Sequence, residues 1–209
     1  MTDQERNIIT SPDMNRDNRI PSGQVVINKD KWPIFSFKGT PEIDLKTWTL
    51  SVTGLVETEK SWSWDEFRKL AVTDVNSDWH CVTTWSKLDM VWTGVLAKDL
   101  LKDVKILPET KAVMLHSYDT YTTNLLIQDF IDDDVIFAWG ADGVDLIPER
   151  GWPLRLIVPK LYAWKSGKWV KTIEFIKEDT PGYWESNGYH LRGDPWKEER
   201  HSDHPRWEA

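Results

Sequence analysis

The chain has one cysteine, Cys81, among its 209 residues. No intrachain disulfide can form, and a reducing cytoplasm is the simplest setting for a single thiol. Long apolar runs are also missing. No stretch approaches the roughly 20 apolar residues that a membrane-spanning helix needs, so no membrane insertion is expected. Positive charge is in deficit: 26 Lys and Arg against 34 Asp and Glu leave a net charge of -8. The basic footprint of a nucleic-acid binder is therefore absent. The opening residues, MTDQERNIITSPDMNRDNR, contain no apolar segment and no twin-arginine pair. They do not read as an export leader. The sequence also has no internal repeat and no low-complexity linker.

What the chain does have is tryptophan, 14 in all. Each brings a large rigid surface and one donor to place, so deep, stiff-walled pockets are expected. The length suffices for one substantial core. Residues 1–24 read as a polar arm, 25–200 as the folded domain and 201–209 as a tail. In TWTLSVTG, Trp48, Leu50 and Val52 alternate with Thr49, Ser51 and Thr53, which predicts a strand closed by Gly54. Ser63 and Glu66 have capping-box spacing before Phe67 and Leu70, which predicts a helix start. A second helix is expected in WTGVLAKDLLKDV, with Val95, Leu96, Leu100 and Leu101 inward. AVMLHSYD, LRLIVP and KWVKTIEFIKE read as strands, and LLIQDFI as a short helix or turn. DDVIFAWGADGVDLIPE reads as strand, turn at Ala141-Asp142-Gly143 and return strand. The sum is an α+β fold with mixed sheets, short helices and long loops.

Three constellations carry chemistry. Arg150, Arg155, Lys160, Lys165, Lys168 and Lys171 lie in RGWPLRLIVPKLYAWKSGKWVK, which has no acidic residue. Such a run is either a solvated edge or an anion pocket. Within it, Lys165, Ser166, Gly167 and Lys168 form a loop whose amides and ammoniums suit a phosphate. The glycine spacing of a Walker A loop is absent. Second, Ser117, Asp119, Tyr121, Thr122, Thr123 and Asn124 cluster in SYDTYTTN. They either bond their own turn or contact a polar heterocycle. Third is Cys81, which reads either as a small buried hydrophobe or as a reactive or metal-binding thiol. His80 is adjacent, but in a strand it would face away. His116 and His190 stay open as a base for a thiol hydrolase, and His201 with His204 reads as a solvated pair. An anion- or nucleotide-binding module without redox chemistry is the other alternative.

The ordered segments WTLSVTGLV, WSWDEFRKL, DWHCVTTWS, VWTGV, SYDTYTTN, GWPLRLIVP, KSGKWVKTIEFI and GYWESNGYH together resemble the sulfite oxidase-like molybdopterin oxidoreductases. The likeness is to the short soluble bacterial branch with the molybdenum domain alone, over roughly residues 25 to 200. The resemblance implies a molybdenum cofactor with one pyranopterin, bound to the metal side by Cys81. It implies a phosphate side at Arg155 and the Lys165–Lys168 loop, and pterin contacts from Asp119, Tyr121 and Thr122. Asn28 and Trp32 fall in the family's early cofactor-binding stretch, and Trp92 resembles a pocket tryptophan. Trp139 stands where animal sulfite oxidases have a tyrosine, Arg150 where they have a histidine, and VTTWS where they have an arginine-rich run. Trp92, Trp139 and Arg150 are thus the expected substrate-pocket residues. Two-electron oxygen-atom transfer on a small molecule is implied, either as sulfite-like oxidation or as sulfoxide or N-oxide reduction. No haem motif is present, so a separate electron donor or acceptor is expected as partner.

Overall fold

Apolar alternation builds two sheets, as seen in a computed structural model that describes residues 7–28, 31–36 and 38–202. The elements run β1 (Asn7–Thr10), β2 (Val25–Val26), β3 (Thr49–Gly54), β4 (Lys60–Ser63), α1 (Trp64–Phe67), β5 (Thr73–His80), β6 (Trp85–Leu96) and α2 (Ala97–Leu100). They continue β7 (Ala112–Ser117), β8 (Thr122–Leu126), α3 (Ile127–Phe130), β9 (Ile136–Ala141), β10 (Val144–Asp145), β11 (Arg155–Ile157), β12 (Val170–Ile176) and α4 (Tyr183–Ser186). The α+β class expected from sequence holds. The larger sheet follows the order β1-β5-β6-β9-β10, with β2 also on β6 and β11 also on β9. The smaller follows β4-β3-β12-β7-β8. Both are mixed: β1 lies parallel to β5, β2 to β6, and β3 to β12.

Side-chain parity divides the interior into two clusters. Leu50 and Val52 of β3, Leu115 of β7, Ile173 and Phe175 of β12, Phe137 of β9 and Leu156 of β11 share one core contributed by both sheets. The opposite parity of the larger sheet puts Val75 and Trp79 of β5, Trp92 of β6, Ile136 and Ala138 of β9 and Ile157 of β11 into a second. Trp32 and Trp85 pack against that second cluster. Each such buried side chain contributes roughly 1.5–3 kcal/mol. This two-fold alternation decides which residues can reach the functional cavity.

The capping box forms: the Ser63 amide donates to the Glu66 carboxylate at 2.8 Å, and the Glu66 amide to Ser63 Oγ at 3.4 Å. Gly54 ends β3 with φ +83°, and a Cβ there would lie 2.3 Å from the Phe175 carbonyl. One expectation is corrected. Val95 and Leu96 end the long strand β6, and the helix begins only at Ala97. Val95 packs into one cluster and Leu96 into the other, which is strand periodicity. The described part of the N-terminal arm lies on the larger sheet. Asn7–Thr10 pairs with β5, and Arg19 bonds Asp78 at 2.6 Å and Asp89 at 2.7 Å. Strand β5 itself goes unrecognised in the sequence, since Asp74, Asn76 and Asp78 dilute its apolar signal. Among the described residues no helix is long and apolar enough to cross a membrane.

Candidate cofactor site

Strands β5 and β6 form a hairpin, and Cys81 opens its turn. The Cys81 amide donates to the Trp85 carbonyl at 2.9 Å, and the Thr84 amide to the Cys81 carbonyl at 3.0 Å. Thr84 sits at φ 71°, a left-handed conformation costly for a β-branched residue. The Cys81 sulfur is half-buried and lies 3.2 Å from Thr83 Oγ1. Burial pushes its thiol pKa up, while Thr83 and the charge of Arg200 oppose that push. His80 points away from the sulfur, as strand parity requires. Its Nδ1 is 2.8 Å from Ser86 Oγ, and burial drives it down to about 4, so it is neutral.

The Cys81 side chain borders a cavity of about 450 Å³. Its aromatic lining comprises Trp32, Trp79, Trp85, Trp164, Trp169, Trp184 and Tyr189. Ile34 and Phe35 extend it to the rim, where Phe35 is 66% exposed and packs 5.8 Å from Trp184. Among these rings stand Arg150, Arg155 and Lys168, together with Asp119, Ser166 and Gly167.

Arg155 is the unusual group. Strand β11 directs it to the same face as Ile157, and only 3% of it is exposed. Its guanidinium donates to the carbonyls of Arg150 at 2.9 Å and Ser166 at 3.0 Å, and Nε has no partner. The rings of Trp79 and Trp92 lie 4.7 and 5.8 Å from its Cζ. Burial, helped by Arg150, pushes it down to about 9, so it keeps its proton at neutral pH. Arg150 stacks 4.2 Å over Trp32, and its Nε is also buried without a partner. Lys168 donates to the carbonyls of Phe35 at 2.8 Å and Glu149 at 2.9 Å. Burial and then Arg155 push it down to about 8. Among the described residues none of these three cations forms an ion pair. Gly151, at φ +112°, lets them converge: a Cβ there would stand 3.0 Å from Arg155 Cβ.

The structure thus gathers Cys81, Trp32, Arg150, Arg155, Asp119, Tyr121, Ser166, Gly167 and Lys168 around one cavity. Others go elsewhere. Lys165 is fully buried and turned inward to Glu185 at 2.6 Å, away from the cavity. Trp139 shares the parity of Phe137 and lies in the inter-sheet core, 6.0 Å from Phe67 and under Arg68. Trp92 is fully buried behind Trp79 and Trp32, its indole donating to Ser77 at 3.2 Å. Thr122 borders a shallow depression with His116 and Lys171. Asn28 is exposed and does not border the cavity. Asp119 also serves its own turn, accepting from the Tyr121 amide at 3.1 Å, and burial pushes its carboxyl up. The Tyr121 hydroxyl donates to the Trp164 carbonyl at 2.6 Å.

Sequence reasoning missed Trp79, Trp85, Trp164, Trp169, Trp184 and Tyr189 as cavity residues. Their signal was the tryptophan density, together with DWHCVTTWS and GYWESNGYH. No histidine among the described residues lines the cavity. His116 bonds Glu174 at 2.8 Å, and His190 Nδ1 accepts from the amides of Arg192 and Gly193. The base that a thiol hydrolase needs is therefore not beside Cys81. His204 lies outside the described residues. No cluster of three His, Cys, Asp or Glu among the described residues is arranged to hold a metal ion.

The two mixed sheets, with a thiol turn and a basic loop opening on one cavity, define the class: the α+β fold of sulfite oxidase-like molybdenum domains. Residues 37–184 match the family described as oxidoreductase molybdopterin binding domain, and the chain belongs to that family. The chain is 40% identical over 183 residues to the uncharacterized oxidoreductase YuiH of Bacillus subtilis, covering 86% of this chain and 92% of that one. It is 28% identical over 190 residues to MsrP of Campylobacter jejuni, named a protein-methionine-sulfoxide reductase catalytic subunit; this covers 78% of the chain and 60% of the relative. The crystal structure of sulfane dehydrogenase SoxCD from Paracoccus pantotrophus shares the fold, with a TM-score of 0.61 at 21% identity. That match covers 67% of this chain and 41% of the other. The chain thus spans nearly all of the Bacillus protein but under two thirds of the other two.

Proposed function

We propose that this protein is a molybdenum-cofactor-dependent oxidoreductase that catalyses two-electron oxygen-atom transfer on a small substrate. One observation carries the reading: the only thiol and a buried guanidinium without a carboxylate partner border the same cavity. A cofactor with a soft metal at one end and a phosphate at the other matches both. A thiolate suits such a metal. The orphaned Nε atoms of Arg155 and Arg150 suit an anion, since a buried cation without one is costly. The metal's remaining ligands would come with the cofactor.

In this reading Cys81 supplies the protein's ligand to molybdenum. Arg155, Arg150, Lys168 and the amides of the Ser166–Gly167 loop hold the phosphate. Asp119, which borders the cavity, would accept hydrogen bonds from the pterin. The bound group supplies the two-electron oxygen-transfer chemistry. The tryptophan wall excludes water and stiffens the pocket, and Trp92 backs that wall. Within the class, reduction of a neutral sulfoxide or N-oxide is the direction we favour. A sulfite dianion wants several free guanidiniums, and here the two guanidiniums lie against tryptophan rings and are assigned to the phosphate. The relative named for methionine-sulfoxide reduction supports the same direction. Electrons would come from a separate donor.

Metal and pterin analysis tests the proposal, on wild type and Cys81→Ser expressed in a host that makes the cofactor. Stoichiometric molybdenum in the wild type and its loss from the variant are expected. Wild-type protein free of molybdenum, from cells whose other molybdoenzymes are loaded, would sink it.

A further inference from the structure

The family match begins at residue 37 and ends at residue 184, yet the turn that carries Cys81 is tied down from outside both limits. On the N-terminal side, Gln24 Nε2 donates to the Cys81 carbonyl at 3.0 Å, and the Val25 amide donates to the Thr84 carbonyl at 2.9 Å. On the C-terminal side, Arg200 Nη1 donates to the Val82 carbonyl at 2.6 Å. Arg200 also reaches Ser22, with Nη2 at 3.4 Å from its carbonyl, so the two terminal segments meet at this point. Its Cζ lies 5.1 Å over the Tyr162 ring. The segment is held in place by the His190 amide donating to the Arg200 carbonyl at 3.2 Å and by a bridge between Tyr189 and His201.

Two features make this more than a surface contact. The turn is strained, because Thr84 occupies the left-handed region, and strained turns persist only where their surroundings hold them. Arg200 also has no ion pair among the described residues; its donors go to carbonyls. Its charge is therefore not cancelled by a bonded carboxylate. We propose that Arg200 is a positioning residue for Cys81: it clamps the turn and keeps a fixed positive charge on the carbonyl of the residue that follows the cysteine. The electrostatic half rests on the reading of Cys81 as a metal ligand; the clamp does not. Beside a thiolate-ligated metal, a fixed cation stabilises the more electron-rich state and raises the reduction potential.

The test uses the full chain with Arg200→Gln, Arg200→Lys and Gln24→Ala. In cofactor-free protein, amide exchange of the segment around residues 78–87 should quicken about tenfold in Arg200→Gln, with the smaller sheet unaffected. Gln24→Ala should loosen the same segment, which keeps the clamp testable if an Arg200 variant folds poorly. Unchanged exchange in a folded Arg200→Gln, or in Gln24→Ala where Arg200→Gln does not fold, would overturn the clamp. In loaded protein, the molybdenum midpoint potential should shift negative in Arg200→Gln and return most of the way in Arg200→Lys. An unshifted potential in a loaded Arg200→Gln would overturn the electrostatic role while leaving the proposed function standing. Wild-type protein without molybdenum would remove that role together with the proposed function, and the exchange result would still decide the clamp.

Discussion

Lys165 and Arg155 lie in one basic run, and both are buried, but their surroundings are opposite. Lys165 is saturated: its ammonium meets Glu185 at 2.6 Å, Asn124 O and Oδ1 both at 2.9 Å, and the Leu191 carbonyl at 2.5 Å. The same Glu185 oxygen accepts from Trp164 Nε1 at 2.9 Å and Thr123 Oγ1 at 3.0 Å, so that the ammonium is fully partnered although the other Glu185 oxygen, Oε2, has no partner. Arg155 has two carbonyls, two indole faces and an orphaned Nε. A buried charge with a complete set of partners organises the fold. A buried charge without a counter-ion, at a cavity wall, is arranged for a ligand that brings one. Positive charge in a sequence therefore says little until its partners are known.

The largest effect should come from removing the saturated lysine. Lys165→Met leaves Glu185 buried and unpaired, which costs on the order of 3–5 kcal/mol. Urea denaturation of the variant should register that loss, and a change under about 1 kcal/mol would mean that the site relaxes or hydrates easily. Arg155→Leu is the matched experiment. Here removal of an unpaired buried charge should leave cofactor-free protein as stable as wild type or more so. Cofactor retention through purification should drop instead. A strongly destabilised Arg155→Leu with normal cofactor content would erase the contrast.

Lys168 sharpens the contrast through pH. Its folded pKa is pushed down to about 8, against 10.5 for an ordinary lysine. Between those values the unfolded chain binds more protons than the folded one. The stability of cofactor-free protein should therefore rise with pH across that window, and the burden on folding is at its full extent below it. Thermal unfolding of wild type and Lys168→Met at several pH values should isolate this term, because other titrating groups are common to both. With an anion bound, the ammonium is favoured and the rise should shrink. A wild-type profile parallel to that of Lys168→Met would show that Lys168 titrates normally.

How far the sequence carried these distinctions follows from what period and spacing encode. Strands with a clear apolar signal are legible: β3 and β12 by alternation, β7, β9 and β11 by nearly continuous apolar runs, and all five lie where that pattern puts them. Strand β5 was hidden because one of its faces is a row of polar residues. Val95 and Leu96 were read into a helix because two adjacent apolar residues fit either period; only packing on both faces of β6 separates the cases. At the site, the thiol and the basic run were visible as types. Their meeting was not, because Cys81 and Arg155 come together only through the pairing of β5, β6, β9 and β11. By composition the loop KSGK is one phosphate grip. Its first lysine follows the short turn Ala163–Lys165 inward and its last faces the cavity, a difference of backbone direction that composition does not encode. Trp139 was assigned by position along the chain, whereas parity with Phe137 sends it to the opposite face.

Tyr121 links the two regions, and its change should be the smallest of the set. The ring borders the cavity, while the hydroxyl donates to the Trp164 carbonyl above the Lys165–Glu185 pair. Burial pushes the phenol well up, so it stays protonated and a donor across the usable pH range. Tyr121→Phe keeps the ring and deletes the hydrogen bond, which should cost about 1 kcal/mol. If the two regions act separately, that loss should appear in denaturation alone and leave cofactor retention as it is. A fall in retention comparable to that of Arg155→Leu would mean that the saturated site positions Trp164 for the cavity, and the division between a fold-building lysine and a ligand-seeking arginine would have to be redrawn as one connected network.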